Sequence, residues 1–500
     1  MSRIKAIANW VDERLHLTDV FDHTAGHKVP RKAGSWWYVF GSATLTCFLL
    51  QLLTGVCLAL IYVPSANEAY DSLEYLTYQQ PMGWFLRAMH YWSSNFMVAL
   101  MTVHMAQVFL FGAFKYPREL TWVSGCVLFL LTLGMAFTGQ VLRWDQDAYW
   151  GLGISTSMAG RVPIIGAQVV QMVLGGATIG GETLSRFFSL HVFVVPGLMI
   201  AMITMHLRLV LTKGINEYPE PGKRVDKATY ADEYDQLIKK TGVPFYKVID
   251  KDLVFSGLVI LGILLCSALL GPKGPGGEPD PTLIDTVPRP DFYFLSLFAL
   301  FALLPPYLES LLILTAPPLA IGLLFAIPFI SGTGEKSARK RPLAVVCVVV
   351  IFVTVFSLAW LGVVSPWSPQ MDAWTGTPTP VHYVTGRTPL ELQGAVLLQE
   401  KQCRTCHSLD GSGGMRGPDL AGVATRLTHD QLIRQVIQGS GNMPAYGKHL
   451  SPSEVTALVA FMETLRPANT LPVRDARAPF APEPRPAAGD APDPGAAPPR

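Results

Sequence analysis

Four histidines in apolar surroundings are the residues of this chain best placed to do chemistry. His90 and His104 lie in GWFLRAMHYWSSNFMVALMTVHMAQVFLFG, and His191 and His206 in RFFSLHVFVVPGLMIAMITMHLRLVL. At a helical rise of about 1.5 Å per residue, these spacings of 14 and 15 residues separate the members of each pair by about 21–22 Å along the axis. Fourteen residues miss four whole turns by about 40° and fifteen by about 60°, so both members fall near one face. An unpaired imidazole in hydrocarbon is costly and is usually functional. Two such helices side by side offer two His–His clamps, one above the other. That is the geometry for two stacked haems, each iron held by one imidazole from each helix. Core histidines hydrogen-bonded to neighbours would account for one such residue but not for two matched pairs.

A second chemical motif stands near the C-terminal end. Cys403-Arg404-Thr405-Cys406-His407 is the C-x-x-C-H haem attachment pattern, in which two thiols form thioethers and the adjacent His reaches the iron. Amphipathic runs (LELQGAVLLQEKQ and SPSEVTALVAFMETL) flank it. Gly441-Asn442-Met443-Pro444 offers Met443 as the sixth ligand; Met415, among glycines eight residues past His407, is its rival. The other five cysteines (Cys47, Cys57, Cys126, Cys266, Cys347) lie singly in different apolar spans and read as small buried residues. No Cys/His cluster suits an iron–sulfur centre, so a mechanism that needs one draws it from another subunit.

Long apolar helices must position these groups. Half of the 500 residues are hydrophobic and 15% are charged, the balance of a membrane-embedded chain. Seven apolar spans are predicted near 36–62, 84–112, 120–142, 186–212, 253–271, 309–331 and 343–364. The stretch 292–304 is too short to cross. Lys and Arg gather before the first span and after the second, fourth and sixth, whereas 63–83 has none and carries Glu68, Asp71 and Glu74. The positive-inside rule then puts the N-terminus inside and the C-terminus outside. The N-terminal segment has no secretory cleavage pattern, so the first span is expected to stay in place. Thioether attachment takes place outside the cytoplasm and places the haem-attachment segment on the same outer side. A net charge of +2 is uninformative, and nothing points to nucleic acid.

On these residues the chain resembles the cytochrome b of bc-type quinol–cytochrome c reductases, the chloroplast-type branch (b6 with subunit IV) above all. PRELTWVSGCVLFLLTLGMAFTGQVLRWDQDAYW (117–150), TLTCFLLQLLTG (44–55) and TLSRFFSLH (183–191) are similar to that branch, as are the 15-residue step from His191 to His206 and the seven spans. The resemblance covers roughly residues 10–365. It joins in one polypeptide what chloroplasts split in two, and a monohaem cytochrome c domain is appended. It implies two non-covalent bis-His haems b, an outer one on His90 and His191 and an inner one on His104 and His206. With them goes one covalent haem c on His407 and Met443. Gly41, Gly55, Gly125 and Gly139 repeat the 14-residue step; in the family such glycines let haem planes lie close to the helix backbone, though small residues at helix contacts would look the same. Arg87 and Arg118 are placed to pair with haem propionates.

The family's Pro-Glu-Trp-Tyr quinol motif is matched by Pro290-Asp291-Phe292-Tyr293, which makes Asp291 and Tyr293 the catalytic candidates. A carboxylate at the edge of an apolar pocket can accept a quinol proton near neutral pH. Asp291 is one methylene shorter than the family's Glu. Val39 stands where the chloroplast-type protein attaches an extra haem through a cysteine, so none is expected here. Leu211 stands where that protein has an Arg, with Arg208 and Lys213 as substitutes near the inner quinone site.

The expected fold is all-α: a seven-span bundle, built as a four-helix dihaem core plus three helices, with a small all-α cytochrome c domain. The expected domains are an inner segment 1–34, the dihaem core 35–215, an inner loop 216–252, a three-helix part 253–366, a linker 367–387, the cytochrome c domain 388–466 and a Pro/Ala-rich tail 467–500. The resemblance implies a quinol:cytochrome c oxidoreductase core in a bacterial inner membrane, coupled to proton translocation. Its expected partners are a Rieske iron–sulfur protein, the quinone pool, a downstream cytochrome c or terminal oxidase, and a second copy of the chain. A dihaem anchor for a dehydrogenase would leave the Asp291 motif and three spans unexplained. A transporter with an accessory cytochrome would leave the histidine pairs unexplained.

Overall fold

A computed structural model of the chain describes residues 3–176, 179–280, 289–304, 306–364, 378–413, 417–439, 443, 445–447 and 450–473. Met415, Gly441, Asn442, Pro444, most of the expected linker and the tail beyond 473 lie outside the described residues.

The fold is almost wholly helical. Two short helices, α1 (Arg3–Leu15) and α2 (Leu17–His23), precede a strand β1 (Lys28–Pro30). The first long helix, α3 (Phe40–Ala59), is followed by a short α4 (Ala69–Glu74), then α5 (Gly83–Leu110) and α6 (Glu119–Val141). A pair of shorter helices that the hydropathy pattern did not disclose, α7 (Gln146–Gly160) and α8 (Gly166–Leu174), leads into α9 (Gly181–Ser189). A π-turn, Leu190–Val194, joins α9 to α10 (Val195–Lys213). Pro196 sits in the first turn of α10 and has no N–H to give, so the ladder upstream of it is loosened to a wider turn. His191 lies within that turn.

The loop 216–252 carries β2 (Arg224–Val225), α11 (Tyr230–Thr241) and β3 (Gly242–Pro244) before α12 (Asp250–Leu270). After it come α13 (Phe292–Leu303), α14 (Pro306–Ile330), β4 (Gly334–Glu335) and α15 (Pro342–Val364). Strands β1 and β3 pair antiparallel, as do β2 and β4, so the N-terminal segment, the loop 216–252 and the α14–α15 turn are stitched together by backbone hydrogen bonds. Among the described residues seven helices are long and apolar enough to cross a membrane, and the short α13 is not one of them, both as the hydropathy pattern predicts.

By internal contacts the chain forms two units. The first (residues 1–143, 187–275 and 315–357) has its core where α3, α5, α10 and α12 meet, around Ala43, Cys47, Phe48, Met97, Met199 and Ile263. The second (144–186, 276–314 and 358–500) holds α7, α8, α13 and the C-terminal domain. That domain consists of α16 (Val381–Val384), α17 (Pro389–Glu400), a hairpin of β5 (Ser408–Leu409) and β6 (Ser412–Gly413), α18 (His429–Gln438) and α19 (Pro452–Met462). Capping boxes start three of its helices: Thr388 with Glu391, Thr428 with Gln431, and Ser451 with Glu454. Helices α17 and α19 cross at Gly394, where a Cβ would stand 2.0 Å from the Ala457 carbonyl oxygen; only glycine lets them approach so closely.

Candidate functional site

The four histidines come together in pairs inside the first unit. His90 on α5 faces His191, with ring centroids 6.3 Å apart and planes at 77°. Two imidazoles bound to one ion through metal–nitrogen bonds of about 2.0–2.1 Å have about this separation. His104, four turns along α5, lies beside His206 of α10. Each ring is backed by one of the glycines. A Cβ on Gly55 would lie 3.2 Å from the His90 ring, and one on Gly41 3.3 Å from His104. On α6, a Cβ on Gly139 would lie 2.6 Å from His191 and one on Gly125 3.5 Å from His206. The 14-residue step is therefore a register: α3 offers two glycines to the two histidines of α5, and α6 does the same for the π-turn and α10. In the structure the atoms nearest each of these glycines belong to an imidazole.

Three hydroxyls that the sequence reading did not single out hold the rings. Thr54 Oγ1 lies 2.9 Å from His90 Nδ1, Thr138 Oγ1 3.0 Å from His191 Nδ1, and Ser124 Oγ 2.8 Å from His206 Nδ1. Each hydroxyl donates its single proton to a helix carbonyl: Thr54 to Leu50, Thr138 to Gly134 and Ser124 to Thr121. It must then accept from Nδ1–H, which leaves the Nε2 lone pair of a neutral imidazole to bind a metal. The signal was present, since each hydroxyl residue immediately precedes one of the glycines. Gln51 adds a clamp on the His90 backbone by donating to its carbonyl oxygen. These residues fit haem irons: the cradles are cut to the rings, and the tautomer is fixed at three of four.

Both arginines make hydrogen bonds within the chain. Arg87 donates from Nη1 to Thr77 Oγ1 (2.7 Å) and from Nη2 to the carbonyls of Lys273 and Gly274, tying α5 to the segment after α12. Arg118 donates to the Gly214 carbonyl (2.9 Å) and the Tyr230 hydroxyl (2.8 Å), while its Nη2 is buried without a partner. Tyr230 in turn donates to Glu217 (2.7 Å), whose carboxylate stands 2.9 Å from Lys336 Nζ. Burial alone would raise the Glu217 pKa, but the Lys336 charge and the bonds it accepts bring it down to about 2. Val39 is buried at the N-terminal edge of α3, and Arg208 and Lys213 are exposed. On the same side Ser42 donates to Asp252 (2.6 Å), which pairs with Lys251; neither this group nor Glu217–Lys336 was foreseen.

In the second unit Asp291 occupies the N-cap position of α13 in extended conformation, 8% exposed, and accepts from the Tyr293 hydroxyl (3.1 Å). The two catalytic candidates are thus in contact. Arg161, after α7, pairs with Glu309 (3.2 Å) and donates to Ser310 (2.9 Å) at the start of α14. Asp145 accepts from the Gly276 backbone N–H (3.0 Å), and Gln146 exchanges hydrogen bonds with the Asp280 backbone. The start of α7 is in this way clasped to the segment leading toward Asp291.

In the C-terminal domain Cys403 and Cys406 lie at a single helical turn beside His407. The His407 Nδ1 is 2.8 Å from the Pro418 carbonyl, which can only accept, so this imidazole too presents Nε2 as the lone-pair nitrogen. Burial holds its pKa below the usual histidine range and keeps it neutral. A Cβ on Gly417 would lie 2.4 Å from the ring. Met443 is half-buried, and its Sδ accepts from Gln435 Nε2 at 3.2 Å. Asp419 closes the loop by accepting from Gly411 N, Ala421 N and the Ser408 hydroxyl at 2.7–2.8 Å.

Known proteins match each part. Residues 25–214 match the family described as cytochrome b/b6/petB, and residues 280–381 the one described as cytochrome b(C-terminal)/b6/petD. Residues 391–462 match cytochrome C oxidase, cbb3-type, subunit III. The cytochrome b6 of Synechococcus sp. (strain JA-3-3Ab) is 40% identical over 210 residues, which are 42% of this chain and 97% of that protein. A solved hyperthermophilic respiratory Complex III aligns with a TM-score of 0.59 and 28% identity, over 72% of this chain and 92% of its own.

Proposed function

Because the chain belongs to the cytochrome b/b6 family and carries a cytochrome c domain behind its cytochrome b core, we propose that it is the quinol-oxidising, electron-carrying centre of a quinol:cytochrome c oxidoreductase. The observation that carries the reading is the fourfold facing of glycine and imidazole, Gly55–His90, Gly139–His191, Gly41–His104 and Gly125–His206. His90 with His191 and His104 with His206 would hold two b haems. Cys403 and Cys406 would bind a c haem by thioethers, with His407 and Met443 as axial ligands. Bound there, the haems supply one-electron carriers.

The residues of the chain do the rest. Thr54, Thr138 and Ser124 hold three of the imidazoles in one tautomer and aim them. Asp291 receives the proton of a quinol hydroxyl on its carboxylate, held by the hydrogen bond from Tyr293, and passes it outward. The charge pattern of the loops supports an inner N-terminus and an outer cytochrome c domain in a bacterial plasma membrane. With no iron–sulfur ligand cluster among the described residues, the family's pattern brings in a Rieske protein as partner and release of quinol protons outside. A second copy of the chain and a downstream cytochrome c or oxidase complete the expected assembly.

The test is a pyridine haemochrome assay on the purified chain, with haem staining after denaturing electrophoresis. Two b and one c per chain are expected, and His90→Leu and His104→Leu should each remove one b haem. A chain that carries only the covalent haem would overturn the reading.

A further inference from the structure

The four ring sites are not equivalent. At three of them a hydroxyl residue immediately precedes the glycine: Thr54–Gly55, Ser124–Gly125 and Thr138–Gly139. At the fourth the residue before Gly41 is Phe40, whose ring packs edge-on against Phe255 with centroids 5.7 Å apart. Correspondingly, the His104 Nδ1 is buried and makes no hydrogen bond. Gln107, three residues on, is near enough to interact with this ring but meets no hydrogen-bond geometry with Nδ1. The sequence register and the side-chain geometry report the same gap by independent routes.

We infer that Thr54, Thr138 and Ser124 are positioning residues that set the donor strength of three imidazoles, and that the two iron sites differ by one hydrogen bond. The inference rests on the assignment of the four histidines as iron ligands. An Nδ1–H that donates to an oxygen makes Nε2 more basic and orients the ring. A more basic ligand favours the ferric state over the ferrous, so each such bond makes its site harder to reduce. The His90–His191 site has two, from Thr54 and Thr138; the His104–His206 site has one, from Ser124.

The experiment is a redox titration of the two b-type absorbance bands in the purified, haem-loaded chain, with the electron paramagnetic signal of each low-spin ferric site as a second readout. Thr54→Val keeps the shape and removes the acceptor. It should raise the potential of the His90–His191 site by roughly a tenfold change in its reduction equilibrium, which is about 59 mV for one electron. Phe40→Ser places a hydroxyl at the fourth position of the register and should lower the potential of the other site. Gln107→Leu should move neither. If Thr54→Val fails to hold haem, Thr138→Val reads the same site, and Ser124→Ala should raise the potential of the other. Haem-loaded variants with both potentials unmoved overturn the inference. So does a shift in Gln107→Leu, which would make Gln107 the missing acceptor. Retention of both b haems in His90→Leu and His104→Leu would overturn the ligand assignment instead, a result separable from the first two.

Discussion

A glycine is usually discussed for what its backbone can do; the four that back the histidines matter for what they lack. The clearance is graded, from 2.6 Å at Gly139 to 3.5 Å at Gly125, an ordinary contact. Gly139→Ala should therefore lose a b haem, while Gly125→Ala should keep it, as haemochrome content per chain would show. At Asp291 the expected result is kinetic. Asp291→Asn should lower quinol oxidation by about 10²–10⁴, the usual worth of a positioned general base, at unchanged haem content. A smaller loss in a quinol:cytochrome c assay of the assembled complex would remove Asp291 from the reaction. The pairing of the histidines was legible in the sequence because steps of 14 and 15 residues put both rings of each helix near one face. Thr54, Ser124 and Thr138 were not, because Ser and Thr are common in membrane helices, where they bond their own backbone.

Among the elements, the loop between α10 and α12 shows most plainly what a hydropathy reading misses. The spans were visible from composition alone. The pairing of β1 with β3 and β2 with β4 was not, since strands of two or three residues have no periodicity to read. Neither was the Glu217–Lys336 pair, whose partners are 119 residues apart and 2.9 Å from each other. Lys336→Met should lower stability, by at most about 3–5 kcal/mol, by leaving buried Glu217 only the more distant Lys223 (3.7 Å) and the Tyr230 hydroxyl, and Glu217→Leu with Lys336→Met should recover much of it. Melting of the detergent-solubilised protein measures both. The pH dependence has a definite sign. Glu217 is depressed from 4.5 to about 2, so its contribution is present above the ordinary carboxylate range and is lost as pH falls toward 2. Lys336→Met should move that loss to higher pH. The helices α7 and α8 escaped for a different reason: they are too short to span, and ties such as Arg161–Glu309 and Asp145–Gly276 join residues far apart in the sequence.

At the scale of the whole molecule, one chain holds both a cytochrome b core and a cytochrome c domain, an organisation the C-x-x-C-H motif and the composition shift made plain. The C-terminal domain has its own core, from Tyr383 to Leu465, and its own tight helix crossing. Gly394→Val should cost that domain about 1–3 kcal/mol or more through overpacking against Ala457 and Phe461 while leaving the b haem content unchanged. Selective loss of the c-type spectrum on heating would register it. Covalent continuity between α15 and this domain has a kinetic consequence. A soluble carrier must find its donor by diffusion, at a rate that follows its concentration and falls with ionic strength. A tethered one meets the donor at an effective concentration of order millimolar, fixed by chain length rather than by the cell. Its first electron should therefore arrive as quickly in dilute membranes at high salt as in crowded ones at low salt.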